Sequence, residues 1–417
     1  MNAVAETKSK NVFYISLYGS VDPSCRYTRS AELLKILAEK GWSVHIICPS
    51  WHHLLSNNEH QTSCCSDGIT LKVLRTFRYS HRNFPMRLLH CFLFSIRLRF
   101  LQVRGLNGNC SNCDNIVICS IPMLGMVGGS KNLAKRLNAP LILEVRDLWP
   151  ESLLLTGRSV RHFMYVYFGL LNKHAINASC ATISLLERIC EVRPILKGKP
   201  FLWLPNGLSL KQVEKSNVPA VPPRIMEYIA RTRSADTNLV VYAGNLGEFN
   251  GVDKLVKFIS QEPGSSRFTF IVLGGGSEAY KLKELSKSTN NLLFHPFVGR
   301  DVLHEIYRLC DFGIFSLSDF PLFSIGISPN KICDYLENRL PVISLYNSDD
   351  KIFSSNYIFT FDMNNWEDST RKLESYCDMV KSSADPHSCP ILSEFRWAKL
   401  GENLHNFIKQ VPTKSQY

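Results

Sequence analysis

Two stretches of the 417-residue chain carry side chains whose types and spacing suit chemistry. The first is FPLFSIGISPNKICDYLENRLPVIS, in which Lys331 and Asp334 stand three residues apart. That spacing puts both on one helix face, near its N-terminus. An amine there, helped by the helix dipole, suits a diphosphate. A carboxylate one turn on suits the two hydroxyls of a ribose. A surface ion pair within one helix satisfies the same spacing. The second stretch is LILEVRDLWPES, where Glu144, Arg146, Asp147 and Trp149 cluster at the carboxyl end of a strand. Charged groups against a buried strand end are costly unless paired or used, so a functional role is expected here.

Glycines mark further candidates. Gly19 follows the first strand, and Gly244 and Gly247 follow the first strand of the second half, in VVYAGNLGEFNG. Such loops admit a ligand close to the backbone, with phosphate favoured at the helix N-terminus. A tight turn uses glycine equally well. LGGGSE, which contains Gly275, also follows a strand. It is not GxGxxG, and no acidic residue follows at the spacing a ribose contact needs, which argues against a nicotinamide dehydrogenase.

The elements that must position these residues repeat a β–loop–α–β order. VFYISLY, a helix over 29–40, and SVHIICP open the chain. IVICSIP, a helix over 124–137, PLILEVRD, CATIS and FLWLPNG follow. The pattern restarts with NLVVYAG, FTFIVLGGG, LLFHPFV, DFGIFSL and PVISLY, separated by helices over 252–260, 279–288, 301–309 and 331–338. Continuous apolar strands alternating with helices predict α/β folding, with parallel sheets covered on both faces. The expected organisation is a basic first domain over 1–205, a linker over 206–237, a second domain over 238–392, and a C-terminal helix and tail over 393–417. Both domains are read as doubly wound and Rossmann-like, facing across a cleft beyond the carboxyl ends of their strands.

Residues 1–205 contain 25 Lys and Arg against 12 Asp and Glu, a balance of +13, while the rest contain 23 against 24, or −1. A one-sided basic field faces a polyanion or a phosphate-bearing substrate. The segment LKVLRTFRYSHRNFPMRLLHCFLFSIRLRFLQVR interleaves Arg75, Arg78, Arg82, Arg87, Arg97, Arg99 and Arg104 with Phe and Leu. It is too charged to span a bilayer. It suits either an anionic membrane surface or a long helix with a solvated basic face. No zinc finger, basic zipper or RNA-recognition motif is visible, so nucleic acid is not an expected partner.

Fourteen cysteines are scattered, several in apolar runs such as those around Cys48 and Cys119. They read as buried free thiols in a reducing cytoplasm. The start, MNAVAETKSKN, lacks the apolar stretch of a signal peptide. Cys110 and Cys113 have CxxC spacing without two further ligands, and they read as a loop, as do Cys64 and Cys65. No metal site and no cofactor are expected.

EVRDLWPES, LPNGL, VVYAGNLGEFNGVDKL, IVLGGGSE and SPNKICDYLENRLPVIS, in this order, resemble the retaining glycosyltransferases of family 4, which have the GT-B fold. The set is most similar to the bacterial polysaccharide subgroup that includes the L-fucosamine transferases. The resemblance implies a nucleotide-sugar donor with uridine as base, and transfer with retention to a lipid-linked saccharide. It implies a peripheral site on the inner membrane face. It assigns Asp334 to the ribose, as the second acid of the family's E-x7-E motif, and Lys331 to the diphosphate. It assigns Gly244, Asn245, Gly247 and Gly275 to the donor loops, and Phe297 and Val298 to the nucleobase. Gly19 and Ser20 fall on the first-domain loop that closes over the donor. Arg146 and Asp147 fall beside the transferred sugar, where many members have a His-Asp pair. The first acid of E-x7-E would fall at Gly326, and the basic pair usual after the YAG strand is absent. A non-hydrolysing epimerase and a catalytically inactive partner of another transferase are the alternative readings.

Overall fold

Each apolar run read as a strand forms one, and the runs assemble into two sheets. A computed structural model describes residues 10–19, 29–52, 55, 61–66, 68–80, 83–102, 114–121, 126–147, 160–209, 220–234, 236–261, 267–382 and 389–412. The chain divides into one unit formed by Met1–Pro205 with Trp397–Tyr417, and a second formed by Asn206–Arg396.

The first unit runs β1 (Lys10–Ser16), α1 (Arg29–Glu39), β2 (Ser43–Pro49), β3 (Cys64–Ser66), β4 (Ile69–Leu74), α2 (Phe84–Arg99), β5 (Asp114–Ile121) and α3 (Val127–Arg136). It continues with β6 (Leu141–Val145), α4 (Val160–Ala178), β7 (Ala181–Ser184), α5 (Ile189–Val192) and β8 (Phe201–Trp203). The strand order is β3-β4-β2-β1-β5-β6-β7-β8. All described pairings are parallel except β3 with β4. The Cys64–Cys65 pair, expected in a loop, is therefore an antiparallel edge strand. The order reverses at β1, between β2 and β5, where an open α/β sheet leaves its crevice.

The second unit holds α6 (Pro223–Thr232), β9 (Asn238–Asn245), α7 (Val252–Gln261), β10 (Phe268–Gly275), α8 (Ala279–Ser288), β11 (Leu292–His295) and α9 (Arg300–Leu309). It continues with β12 (Phe312–Phe315), α10 (Asn330–Glu337), β13 (Val342–Ser344), β14 (Ile358–Thr360), α11 (Trp366–Ser382) and α12 (Pro390–Glu394). Its sheet has the order β11-β10-β9-β12-β13-β14 and is parallel throughout. Here the order reverses between β9 and β12. The loops leaving those two strands are the ones that carry NLGEFNG and the segment before SPNK.

Two differences from the sequence reading have simple causes, and the C-terminal helix finds its core. The span expected as a linker contains α6, which begins at Pro222–Pro223 because proline suits a first helical turn. Its face of Ile225, Tyr228 and Ile229 is buried. The long basic segment is not one helix. Its first residues complete β4, and α2 starts only after Asn83, whose side chain accepts from the Met86 N–H at 3.2 Å. The C-terminal helix α13 (Trp397–Gln410) packs on α1 in the first unit. Gly401 makes this approach possible, since a Cβ there would lie 2.6 Å from Ile36.

The first core gathers β1, β2, β5, α1 and α13 around Val12, Leu34, Ile46 and Trp397. The second gathers Val240, Phe258, Phe270 and Ile343 under α7 and α11. One charged pair lies deep within the first unit. Arg29 Nε donates to Glu144 Oε1 at 2.9 Å, and both residues are almost fully buried. The other Glu144 oxygen accepts from Tyr14 OH at 2.5 Å. The remaining Arg29 nitrogens donate to the carbonyls of Leu204 and Pro205 at 2.7 and 2.6 Å. With its lone pairs satisfied in this way, a buried carboxylate is tolerable. Glu144 thus has a structural part, tied through Arg29 to the Leu204–Pro205 segment.

Candidate functional site

In the second unit, the N-terminus of α10 lies at the carboxyl end of β9. Pro329 precedes the helix, and Asn206 fastens its approach. The Asn206 N–H and side-chain amide donate to Ser328 at 2.7 and 2.6 Å. The Ser209 N–H donates to Glu337 Oε1 at 2.6 Å. The LPNGL stretch thereby sets the register of the helix that carries Lys331 and Asp334.

Lys331 turns inward across β9. Its Nζ donates to Tyr242 OH at 2.5 Å, lies 4.1 Å from the centre of that ring, and approaches Asn250 Oδ1 at 3.4 Å. Tyr242 OH in turn donates to the Asn245 carbonyl at 2.8 Å. Glycine at 244 leaves the channel for this lysine, because a Cβ there would sit 2.3 Å from Lys331 Cε, and φ is +144°. No carboxylate among the described residues pairs with Lys331. Burial alone pulls its amine down to about 7. A cation held this way lacks a counter-anion and suits a phosphate.

Asp334, one turn on, is half-buried, and its carboxylate has no hydrogen-bond partner among the described residues. Burial raises it to about 6, with Arg300 at the start of α9 opposing the shift. Its oxygens are open to hydroxyl donors. Phe297 is 51% exposed, on the loop between β11 and α9, and lies against Gly275, where a Cβ would be 3.2 Å from the ring. Val298, beside it, is half-buried. An aromatic face presented at a strand's carboxyl end suits a nucleobase.

The glycine run has a packing role as well. A Cβ on Gly274 would lie 2.1 Å from the Gly244 carbonyl, and one on Gly276 would lie 2.4 Å from the Leu246 carbonyl. Asn245 is exposed, and Gly247 is half-buried with the Asn245 amide 3.2 Å from its would-be Cβ. Gly251, with φ +61°, closes the turn onto Ser316 and opens α7, so the first amides of that helix stand beyond β9. Gly326 has φ +125°, a conformation that disfavours any other residue. The next N–H, of Ile327, donates to the buried Asp350 carboxylate at 2.8 Å. A side chain at position 326 would therefore be strained by the backbone itself.

In the first unit the carboxyl ends of β1 and β6 gather a second cluster. Arg146 and Asp147 follow β6. Burial lowers Arg146 and raises Asp147, and Asp147 is steadied by the charges of Arg146 and Arg87. Arg87, on the first turns of α2, also donates to Tyr18 OH at 3.0 Å. Two cations and one carboxylate thus meet beside two tyrosines, Tyr14 and Tyr18. At Gly19 a Cβ would lie 2.8 Å from Ile46, so that glycine serves packing of β1 on β2. Ser20, Trp149, Arg82, Arg104, Cys110, Cys113, Leu124 and residues 210–219 lie outside the described residues.

Arg87, Tyr242, Asn250 and Arg300 escaped sequence reasoning. Arg87 read as one of many basic residues, and only its half-buried position and its bond to Tyr18 separate it from exposed Arg97 and Arg99. Tyr242 lay within the strand run NLVVYAG. A tyrosine two residues before a strand-end glycine was the available signal. Among the described residues no group of three or more His, Cys, Asp or Glu is placed to hold a metal ion.

No family profile matches the chain, and no curated protein matches it in sequence. Solved structures do match. The sucrose-phosphate synthase of Thermosynechococcus elongatus is 14% identical, with 96% of this chain and 94% of that one covered and a TM-score of 0.58. Anabaena HepE in complex with UDP and glucose is 12% identical, with 96% and 99% covered and a TM-score of 0.57. WaaG, a glycosyltransferase involved in lipopolysaccharide biosynthesis, is 13% identical, with 97% and 96% covered and a TM-score of 0.53. Such identities speak to the fold, and two Rossmann-like α/β units with these strand orders give this chain the GT-B fold.

Proposed function

We propose that the protein is a glycosyltransferase that moves a sugar from a nucleoside diphosphate, with uridine as base, to a lipid-linked saccharide with retention of configuration. The observation that carries this reading is Lys331: an inward-turned amine without a carboxylate partner, at the carboxyl end of β9 and beside the start of α7. The GT-B fold, which HepE shares while holding UDP and glucose, supports the same reading.

The second unit holds the donor. Lys331 and the first amides of α7 take the diphosphate, Asp334 accepts the ribose hydroxyls, and Phe297 with Val298 covers the base. Gly244, Asn245, Gly247 and Gly275 shape the loops around it. As the bond from the anomeric carbon to the phosphate oxygen breaks, its electron pair stays on the β-phosphate. Fixed cations and N–H groups stabilise that charge. The acceptor hydroxyl bonds to the anomeric carbon on the face the diphosphate leaves, and its proton passes to the departing phosphate. No metal enters this scheme. Asp147, held by Arg146 and Arg87, orients the acceptor hydroxyl or steadies positive charge on the ring, and Gly19 with Ser20 serves the donor. The acceptor's lipid is reached at an anionic membrane surface on the cytoplasmic side, through α2.

A nucleotide-sugar panel with lipid-linked acceptors and analysis of the products tests this. Transfer with retention is expected, and Lys331→Ala should lose ~2–4 kcal/mol of transition-state stabilisation. Near-wild-type turnover in that variant removes the role of Lys331. Conversion of the donor with no acceptor present would make the protein an epimerase.

A further inference from the structure

The second core contains a polar chain that packing alone does not require. Tyr242 of β9 is fully buried, in the cluster of Val240, Phe258 and Phe270. A phenylalanine ring would fill that place, so the hydroxyl serves something besides packing. Its one proton is committed to the Asn245 carbonyl at 2.8 Å. Its lone pairs are therefore left for Lys331, and Nζ is the donor of that pair at 2.5 Å. Burial pushes the Tyr242 hydroxyl well above the usual phenol range, so it stays neutral.

The helix that carries Lys331 is fixed by a second tyrosine. Tyr335 of α10 bridges β9 and β12 where their pairing ends at Val241 and Gly313. Its OH accepts from the Ala243 N–H at 3.1 Å and donates to the Ile314 carbonyl at 3.2 Å. Glycine at 313 admits the ring, since a Cβ there would lie 2.5 Å from it. With the helix held, the tip of Lys331 is what remains to be placed. Around it stand Tyr242 from β9 and, at 3.4 Å, Asn250 from the turn before α7. Asp334 follows one turn along α10 itself. Burial is the one cause of the drop of Lys331 to about 7, so among the described residues no charged group on a neighbouring element contributes to it. A carboxylate in place of the hydroxyl would neutralise the amine. A neutral acceptor holds it and leaves the charge, with one of the three N–H groups open to a ligand.

We propose that Tyr242 is a positioning residue of the donor site: its hydroxyl holds Lys331, as a cation, where the diphosphate binds, and ties it to the loop between β9 and α7. This rests on the glycosyltransferase reading above. Tyr242 does not touch the donor and acts through the lysine.

Carbon NMR of the full chain, labelled at the lysine Cε atoms and followed through a pH titration, tests the hold directly. The Lys331 signal is the one lost in Lys331→Met. Tyr242→Phe keeps a ring in the core and should lower the midpoint of that signal by ~1 pH unit, because the charged amine loses an acceptor. Titration with UDP reads the consequence. Tyr242→Phe should bind UDP ~10-fold more weakly than wild type at pH 8 and only ~3-fold more weakly at pH 6.5, where more of the amine is charged in both proteins. Protonation of the nucleotide itself is common to both and cancels in the ratio. A merely structural role would weaken binding equally at the two pH values. An unchanged or raised midpoint, or a UDP affinity altered equally at both pH values or not at all, would overturn the positioning role. A lowered midpoint in a protein that UDP does not bind would instead remove the donor reading and leave Tyr242 as the holder of Lys331.

Discussion

At the scale of single residues, the site turns on a lysine that passes through the gap left by a glycine. The spacing of Lys331 and Asp334 is legible in the sequence, since three residues of helix fix their common face. The partners are not, because Tyr242 and Asn250 lie 89 and 81 positions away from Lys331 in the chain. Gly244 shows how one signal serves two causes. A strand-end glycine reads as room for a ligand, yet the nearest thing to its missing side chain is Lys331 Cε. Gly244→Ala should therefore move the lysine and also strain a backbone at φ +144°. Its expected effect is loss of donor affinity of ~1–3 kcal/mol, measured by UDP titration. A variant that keeps wild-type affinity would mean that the position of Lys331 does not matter.

At the scale of elements, the sequence shows most where a strand or helix is long and periodic, and least where a short element is set by tertiary packing. The apolar strands β1, β2, β9 and β10 needed no context. Helix α6 was hidden because its Pro and Arg content resembles a linker, and only its buried Ile225, Tyr228 and Ile229 reveal a docked face. Helix α2 was visible as basic and apolar, but the two halves of that pattern have different fates. Its Cys91, Phe94 and Leu98 are buried, and α3 approaches closely enough that a Cβ on Gly129 would lie 2.4 Å from the Ser95 carbonyl. Arg136 holds the end of α2 through the carbonyls of Arg99 and Leu101 at 2.8 and 2.6 Å. The opposite face exposes Met86, Leu89, Phe92 and, just past the helix, Phe100. Exposed Arg97 and Arg99 flank that apolar stripe. No described helix is long and apolar enough to cross a membrane, and the contact with an anionic bilayer proposed above rests on this stripe. Arg97→Glu with Arg99→Glu should lower binding to phosphatidylserine vesicles by at least ~1 kcal/mol per residue. Sedimentation with vesicles equal to wild type would remove the membrane role of α2.

At the scale of the whole molecule, chain order foretold two α/β units, and strand order then located their crevices. Both sheets reverse direction where the glycine loops begin, at β1 in one unit and between β9 and β12 in the other. The destination of the last helix was not legible. An amphipathic pattern says that a face is buried but not on which core. In the structure α13 returns to α1, with Trp42 Nε1 donating to His405 Nδ1 at 3.0 Å. The segments entering and leaving the second unit lie side by side, with the Leu208 N–H donating to the Phe395 carbonyl at 2.7 Å.

The division of charge also belongs to the whole molecule. The excess of +13 falls in residues 1–205, while the remainder is nearly neutral. The donor site proposed for the second unit therefore depends on one buried amine and not on a broad basic field. Lys331 ionises at about 7 when the site is empty, far below the usual lysine range, so the amine is largely neutral at higher pH. A bound diphosphate favours its charged form and restores the proton. At about pH 8 UDP itself carries no proton to release, so any uptake reports the protein. Titration calorimetry of UDP binding at that pH, in two buffers of different ionisation enthalpy, is the most direct measurement. Uptake of nearly one proton by the wild type and almost none by Lys331→Met is the expected result. UDP binding without proton uptake, or with the same uptake in the variant, would contradict the placement of the diphosphate on Lys331.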